Sequence, residues 1–145
     1  MSKIQIDEDA IREVYDDVRA DNTETEWGVF MFQDNGKNLC VKGSGKDFEE
    51  FKDSFNEGER GFGFCRINTG DEMSKRAKFC MVTWVGKSVP PLQRAKMSTD
   101  KSLVKQIIQS YAVELQLEDP SEIVYDDFKR QVDKAGGANY GTGKK

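Results

Sequence analysis

Two glycine-rich segments of this sequence resemble phosphate-binding loops. Gly86-Lys87-Ser88 has the ending of such a loop, but Met81 occupies the position where the motif requires its first glycine. Without that glycine the backbone cannot curl its N–H groups around a phosphate. We therefore interpret Gly86-Lys87-Ser88 as a turn between a strand and a helix, and Gly43-Ser44-Gly45-Lys46 as a flexible loop.

Acidic residues occur in adjacent pairs at Asp16-Asp17, Glu49-Glu50 and Asp126-Asp127. Paired carboxylates can perform acid–base catalysis when burial separates their pKa values. Each pair lies beside the apolar stripe of a predicted helix, so solvated helix faces are the simpler interpretation. The sequence contains no histidine, which removes the commonest general base and the commonest zinc ligand. An enzyme is therefore the least favoured class of function.

The positive charge is concentrated in one stretch of the chain. Between Met73 and Lys105 there are eight basic residues and one acid, Asp100, so the stretch has a charge of +7. The whole chain has a charge of −4, which leaves −11 for the remainder. Such a polarised surface steers and orients an acidic partner. The basic residues are Lys75, Arg76, Lys78, Lys87, Arg94, Lys96, Lys101 and Lys105.

Length and composition indicate one globular domain. The chain has 145 residues, of which 37% are hydrophobic and 33% are charged, as expected for a packed core with a solvated surface. No apolar run approaches the roughly 20 residues of a membrane span, and the N-terminus does not resemble a signal peptide. Cys40, Cys65 and Cys80 are odd in number and far apart, which favours reduced thiols in a cytoplasmic protein.

Hydrophobic periodicity predicts nine elements in the order helix, strand, strand, helix, strand, strand, helix, strand, helix. Hairpins make the first four strands antiparallel, and a long helix before the fifth implies a parallel crossover. We expect an α+β sandwich, with two helices on each face of a mixed sheet. The domain should cover residues 1–135, followed by a glycine-rich tail at 136–145. The predicted strands are 27–33, 39–42, 61–68, 79–85 and 113–117, and the predicted helices are 7–20, 47–55, 90–111 and one after Pro120-Ser121.

The long helix should separate cations from apolar residues. At about 100° per residue, Arg94, Lys101 and Lys105 share one stripe. The opposite side, which should face the sheet, has Leu92, Leu103, Ile107 and Tyr111. Met97 and Ser98 flank the cations.

Lys96 does not fit this pattern, because a straight helix would point it inward. Ser98-Thr99-Asp100 can compete for backbone hydrogen bonds, so we predict a kink there that releases Lys96 towards solvent.

An acidic protein is the partner class that fits best. The sequence pI of about 5.0 and the lack of aromatic residues between the cations argue against nucleic acid. Lys75, Arg76 and Lys78 are fewer than the roughly four to eight basic residues that bind an anionic membrane. This interpretation requires the cations to lie together and to be free of internal ion pairs.

Three segments resemble coactosin-type members of the actin-depolymerising-factor homology family, which also includes cofilin. They are GDEMSKRAKF at 70–79, LQRAKMSTDKSLVK at 92–105 and KAGGANY at 134–140. The resemblance covers essentially the whole chain. It implies a five- or six-stranded mixed sheet between two helix pairs. It also implies binding to the side of actin filaments in the cytoplasm and cytoskeleton, without catalysis, cofactor or metal.

The resemblance also implies two binding surfaces. The first is the face of the long helix, with Arg94, Lys96, Met97, Ser98, Lys101 and Lys105. The second joins a basic hairpin to the last helix, with Lys75, Arg76, Lys78, Lys129, Arg130 and Lys134. Related proteins often have two adjacent lysines before Ala-Gly-Gly, whereas this chain has Asp133-Lys134. The acid should weaken filament binding or raise its salt sensitivity.

We therefore predict a monomer whose partner is filamentous actin, with monomeric actin left open. We expect no nucleic-acid partner and no integral membrane association. The alternative is a module of the same fold that serves a signalling enzyme or an anionic lipid, with actin binding secondary.

Overall fold

The computed structural model describes residues 4–33, 36–69 and 76–143. Six strands form one mixed sheet in the order β1-β3-β2-β4-β5-β6. The β2–β3, β2–β4 and β4–β5 pairs are antiparallel, and the outer β1–β3 and β5–β6 pairs are parallel. The strands are β1 (Gln5–Ile6), β2 (Trp27–Gln33), β3 (Asn38–Gly45), β4 (Arg60–Thr69), β5 (Arg76–Val85) and β6 (Val113–Leu117).

The predicted α+β class and the parallel crossover before the last strand are confirmed. The sequence did not reveal β1, since a two-residue strand is too short to show an alternating pattern. Its backbone is nevertheless paired, because the Gln5 N–H donates to the Lys37 carbonyl at 2.7 Å and the Asp7 N–H to the Leu39 carbonyl at 3.0 Å.

The helices cover both faces of the sheet. One core contains Ile11 and Tyr15 from the first helix together with Val104, and the other contains Phe51 and Phe128. The helices are α1 (Glu8–Arg19), α2 (Phe48–Asp53), α3 (Pro91–Ala95), α4 (Met97–Val104) and α5 (Tyr125–Gly143), with a 3₁₀ turn at Pro120–Glu122. Helix α1 therefore shares one face with α3 and α4, and α2 shares the other with α5. Helix α5 continues beyond Ala135, where the sequence predicted the tail to begin.

Strand β4 separates the two cores by alternation. Phe62 and Phe64 point into the α1 core, while Gly63 lies under two aromatic rings, one on α2 and one just after it. A Cβ at Gly63 would lie 2.8 Å from the ring of Phe55 and 3.0 Å from that of Phe51. The glycine therefore permits the close approach of these rings to the strand.

The prediction that Gly43-Ser44-Gly45 forms a flexible loop is wrong, because these residues complete β3. Gly45 pairs with Trp27 across the two strands. A Cβ at Gly45 would lie 2.9 Å from the indole of Trp27, so the glycine makes room for a buried ring in the sheet.

All three cysteines are free thiols. Cys65 and Cys80 pair directly across β4 and β5, and both are buried. Burial raises the pKa of the Cys65 thiol well above its ordinary value. Cys40, on β3, is half-buried. None of the helices within the described residues is long and apolar enough to cross a membrane.

Candidate functional site

The predicted long helix is divided in two at Lys96. Helix α3 ends at Ala95, and α4 begins at Met97. The Lys96 N–H donates to the Gln93 carbonyl at 3.2 Å, three residues back, which tightens the chain at this point. The kink predicted at residues 98–100 therefore lies slightly earlier. The predicted release of Lys96 to solvent is confirmed.

Helix α4 ends at Val104. The sequence predicted that the helix would continue to about Tyr111. The chain then turns, and the Ile108 N–H still donates to the Val104 carbonyl at 2.9 Å. The next two backbone N–H groups, from Gln109 and Ser110, donate to the hydroxyl of Tyr15 at 3.3 and 2.9 Å. Helix α1 thus fixes the segment that follows α4.

Arg60 connects strand β4 to both short helices. It is 3% exposed, and its Nη1 lies 2.9 Å from Oδ2 of Asp100 on α4. Its Nε donates to Oε1 of Gln93 on α3 at 3.3 Å, and its guanidinium stacks 3.8 Å above the Phe32 ring. We expected Asp100 to compete for backbone hydrogen bonds; it forms a buried ion pair instead. Sequence reasoning missed Arg60, since one arginine in a glycine-rich strand gives no sign of its partner.

The break changes which side chains face solvent. Met97 was predicted to flank the outward stripe, but it is only 6% exposed and its sulfur lies 3.3 Å from Nη1 of Arg60. Leu92 was predicted to face the sheet, but it is 79% exposed. Both predictions are wrong because they placed the two residues on one helical wheel, whereas the helix is divided at Lys96. We call Leu92, Arg94, Lys96 and Ser98, which are all exposed, the α3–α4 surface.

The cations of the predicted stripe differ in their partners. The Arg94 guanidinium donates to the Gly86 carbonyl at 3.0 Å. Lys101 and Lys105 both form ion pairs with Glu114 of β6 at 2.7 Å. The requirement that the stripe be free of internal ion pairs is therefore not met by these two lysines. Lys96 has no ion-pair partner within the described residues.

Glu114 is 22% exposed and lies between the two lysines. Burial raises the pKa of its carboxyl group, but hydrogen bonds from Lys101 and Lys105 outweigh this effect, so the pKa falls below its ordinary value of 4.5. The hydrogen bond to Glu114 in turn raises the pKa of Lys105.

Acid should weaken this contact between β6 and α4. A carboxyl group with a lowered pKa in the folded state stabilises the fold above its ordinary pKa, and this contribution disappears as pH falls through the lowered value. We expect the thermal midpoint of the wild type to fall more steeply below pH 4.5 than that of Glu114→Gln. Thermal unfolding followed by circular dichroism across this range measures the difference, and parallel curves would contradict the prediction.

The second predicted surface combines described and undescribed residues. Lys78 pairs with Ile67, whose side chain lies in the α5 core, so Lys78 points to the face of the sheet that α5 covers. It is half-buried and has no ion-pair partner among the residues that the structure describes. Arg76 begins β5, and Lys75 lies outside the described residues.

Two of the three predicted cations of α5 form ion pairs within the helix. Lys129 pairs with Asp133 at 3.3 Å, and Arg130 pairs with Asp127. Lys134 is exposed and has no ion pair within the described part of the chain. Asp133, the acid expected to weaken this patch, thus contacts Lys129 and not the adjacent lysine. The requirement for unpaired cations fails here for Lys129 and Arg130.

The residues considered for catalysis, phosphate binding or metal binding do not form a site within the described residues. The paired acids lie exposed or half-exposed on α1, α2 and α5, as predicted. Gly86-Lys87-Ser88 forms the predicted turn between β5 and α3, where Lys87 pairs with Asp119 at 2.7 Å. Within residues 4–33, 36–69 and 76–143, no group of three or more Cys, Asp or Glu residues is placed to hold a metal ion.

Comparison with known proteins gives consistent matches over nearly the whole chain. The sequence profile of cofilin/tropomyosin-type actin-binding proteins matches residues 3–133. Coactosin-like protein of Bos taurus is 40% identical over 136 residues, which cover 94% of each chain.

Solved structures agree with this match. The crystal structure of human coactosin-like protein has a TM-score of 0.83 at 37% identity, covering 90% of this chain and 98% of that one. Mouse coactosin, described as an actin filament binding protein, has a TM-score of 0.77 at 39% identity, covering 98% and 99%. The chain therefore belongs to the family of cofilin/tropomyosin-type actin-binding proteins, among its coactosin-like members.

Proposed function

We propose that this protein binds the side of actin filaments and modulates their dynamics without catalysis. The observation that carries the proposal is the α3–α4 surface, where Leu92 is 79% exposed and Lys96 lies four residues further along, exposed and without an ion pair within the described residues. An apolar anchor next to a free cation suits a partner with an apolar cleft and acidic surroundings. The description of mouse coactosin as an actin filament binding protein supports the choice of partner.

A second contact would come from Lys75, Arg76 and Lys78 together with Lys129, Arg130 and Lys134, which we call the β5–α5 surface. Two observations support it. Lys78 points to the face that α5 covers, and the Asn68 N–H donates to the hydroxyl of Tyr125 at 3.0 Å, which fixes the start of α5 beside β4. Two separate contacts would allow a single molecule to bridge neighbouring parts of a filament.

Association should be steered by charge. The cations lie on a protein of net charge −4, so attraction to an acidic filament depends on local patches and not on the overall charge. We expect affinity to decrease between low and physiological salt, where the screening length falls to about 8 Å.

Filament cosedimentation of Lys78→Ala and Lys75→Ala tests the proposal. Each variant should bind filaments about 3- to 10-fold more weakly than the wild type, since each removes one positive charge from the proposed interface. Their thermal midpoints should be unchanged. Arg12→Ala is the matched control, because it removes one exposed positive charge from α1, on the opposite face of the sheet from α5.

Equal binding of both variants and the wild type would refute the role of the β5–α5 surface. Flotation with anionic liposomes, performed beside pelleting, addresses the alternative of a lipid-binding module. Pelleting with filaments without flotation supports the proposal, whereas flotation without pelleting refutes it.

A further inference from the structure

Glu114 forms a three-residue ion cluster with the two lysines of the α4 region. Its Oε2 accepts from Nζ of Lys101 at 2.7 Å, and its Oε1 lies 2.7 Å from Nζ of Lys105. Both carboxylate oxygens are therefore occupied, each by a different ammonium group. The lysine side chains are 25% and 39% exposed, so a partner can reach both of them.

The cluster reduces the charge that an acidic partner meets. Two lysines and one glutamate together have a charge of +1, and the glutamate lies between the two cations. A carboxylate of the partner must either displace Glu114 or bind ammonium groups that are already neutralised in part. Displacement would leave Glu114, 22% exposed, next to the incoming carboxylate, and like charges repel.

We propose that Glu114 is a specificity-determining residue, because it competes with the acidic partner for Lys101 and Lys105. This inference rests on the proposed function. The helix contact then depends mainly on Leu92 and Lys96. A partner that offers one carboxylate near Lys96 is preferred over a partner whose acids cluster at Lys101 and Lys105.

The fold does not need this contact to keep α4 in place. Val104 and Ile108 are fully buried, and the buried Arg60–Asp100 pair links α4 to β4. Removal of the Glu114 charge should therefore release the two lysines without displacing the helix. A change in binding without a change in stability would therefore distinguish a competing role of Glu114 from a purely structural role.

Filament cosedimentation of Glu114→Gln, at low salt and at physiological salt, tests the inference. The variant should bind about 2- to 5-fold more tightly than the wild type, as expected for release of partly exposed lysines, and its affinity should depend more steeply on salt. Glu13→Gln is the matched control, since it removes one exposed acid from α1 that has no ion pair with any described residue. It should bind like the wild type.

Two further variants make the result specific. The gain should disappear when Glu114→Gln is combined with Lys101→Ala and Lys105→Ala, and Glu114→Ala should reproduce the gain with a different side chain. Binding by Glu114→Gln that is unchanged, weaker, or increased only as much as in Glu13→Gln overturns the inference and leaves the proposed function intact. A wild type that does not pellet with filaments at any salt concentration overturns both.

Discussion

Arg60→Ala is expected to lower the free energy of unfolding by about 3–5 kcal/mol, the typical cost of breaking a buried ion pair. The variant leaves Asp100, which is 5% exposed, charged and without its cation. Oδ2 of Asp100 has no hydrogen-bond partner among the described residues, and the Arg60 guanidinium at 2.9 Å compensates its charge. Urea unfolding followed by tryptophan fluorescence gives the free-energy difference.

The double variant Arg60→Met/Asp100→Leu is the control for this prediction. Replacement of a buried ion pair by apolar residues of similar volume is often neutral or stabilising. We therefore expect the double variant to recover most of the lost stability. A cost for Arg60→Ala below about 1 kcal/mol would mean that the pair is solvated, which would contradict the burial seen here.

Leu92→Asp is expected to weaken filament binding about 30-fold, corresponding to roughly 2 kcal/mol at a central interface residue. The change removes the most exposed large apolar side chain among the described residues and places a negative charge on the surface that should meet an acidic partner. Because Leu92 is 79% exposed, the thermal midpoint should remain that of the wild type. Cosedimentation and thermal unfolding measure the two effects separately.

Val124→Asp is the matched control for Leu92→Asp. Val124 is the other exposed large apolar residue of the described chain, with 37% exposure. It precedes α5, where an aspartate is well tolerated as a helix cap. This control should bind filaments like the wild type. Equal losses in the two variants would show that the α3–α4 surface is not a specific contact.

Five of the six strands could be predicted, because each shows either an apolar run or an alternating pattern. Phe79–Val85 is an apolar run and Val113–Leu117 alternates, and the helical length between them required the parallel crossover. The break at Lys96 was misplaced because local pattern does not determine its position. The break lies next to the Arg60–Asp100 ion pair, and periodicity contains no information on contacts between residues 40 positions apart.

The same limit applies to the candidate site. Charge counts identified a basic region, but a cation is available to a partner only if no acid in the fold pairs with it. Glu114 lies in an alternating strand and looks like an ordinary solvent-facing residue in the sequence. Its position between two lysines depends on the parallel alignment of β6 beside β5. The role of Lys75 in partner binding stays a prediction, because this residue lies outside the described part of the chain.

The thiol arrangement makes the protein convenient for site-specific labelling. Cys65 and Cys80 are 1% and 0% exposed, and a raised pKa keeps Cys65 in its unreactive protonated form. Cys40 is the accessible thiol of the three, and β3 is separated from β5 by two strands. A maleimide dye on Cys40 is therefore separated from β5 by β2 and β4, so single-molecule imaging can begin with the natural sequence.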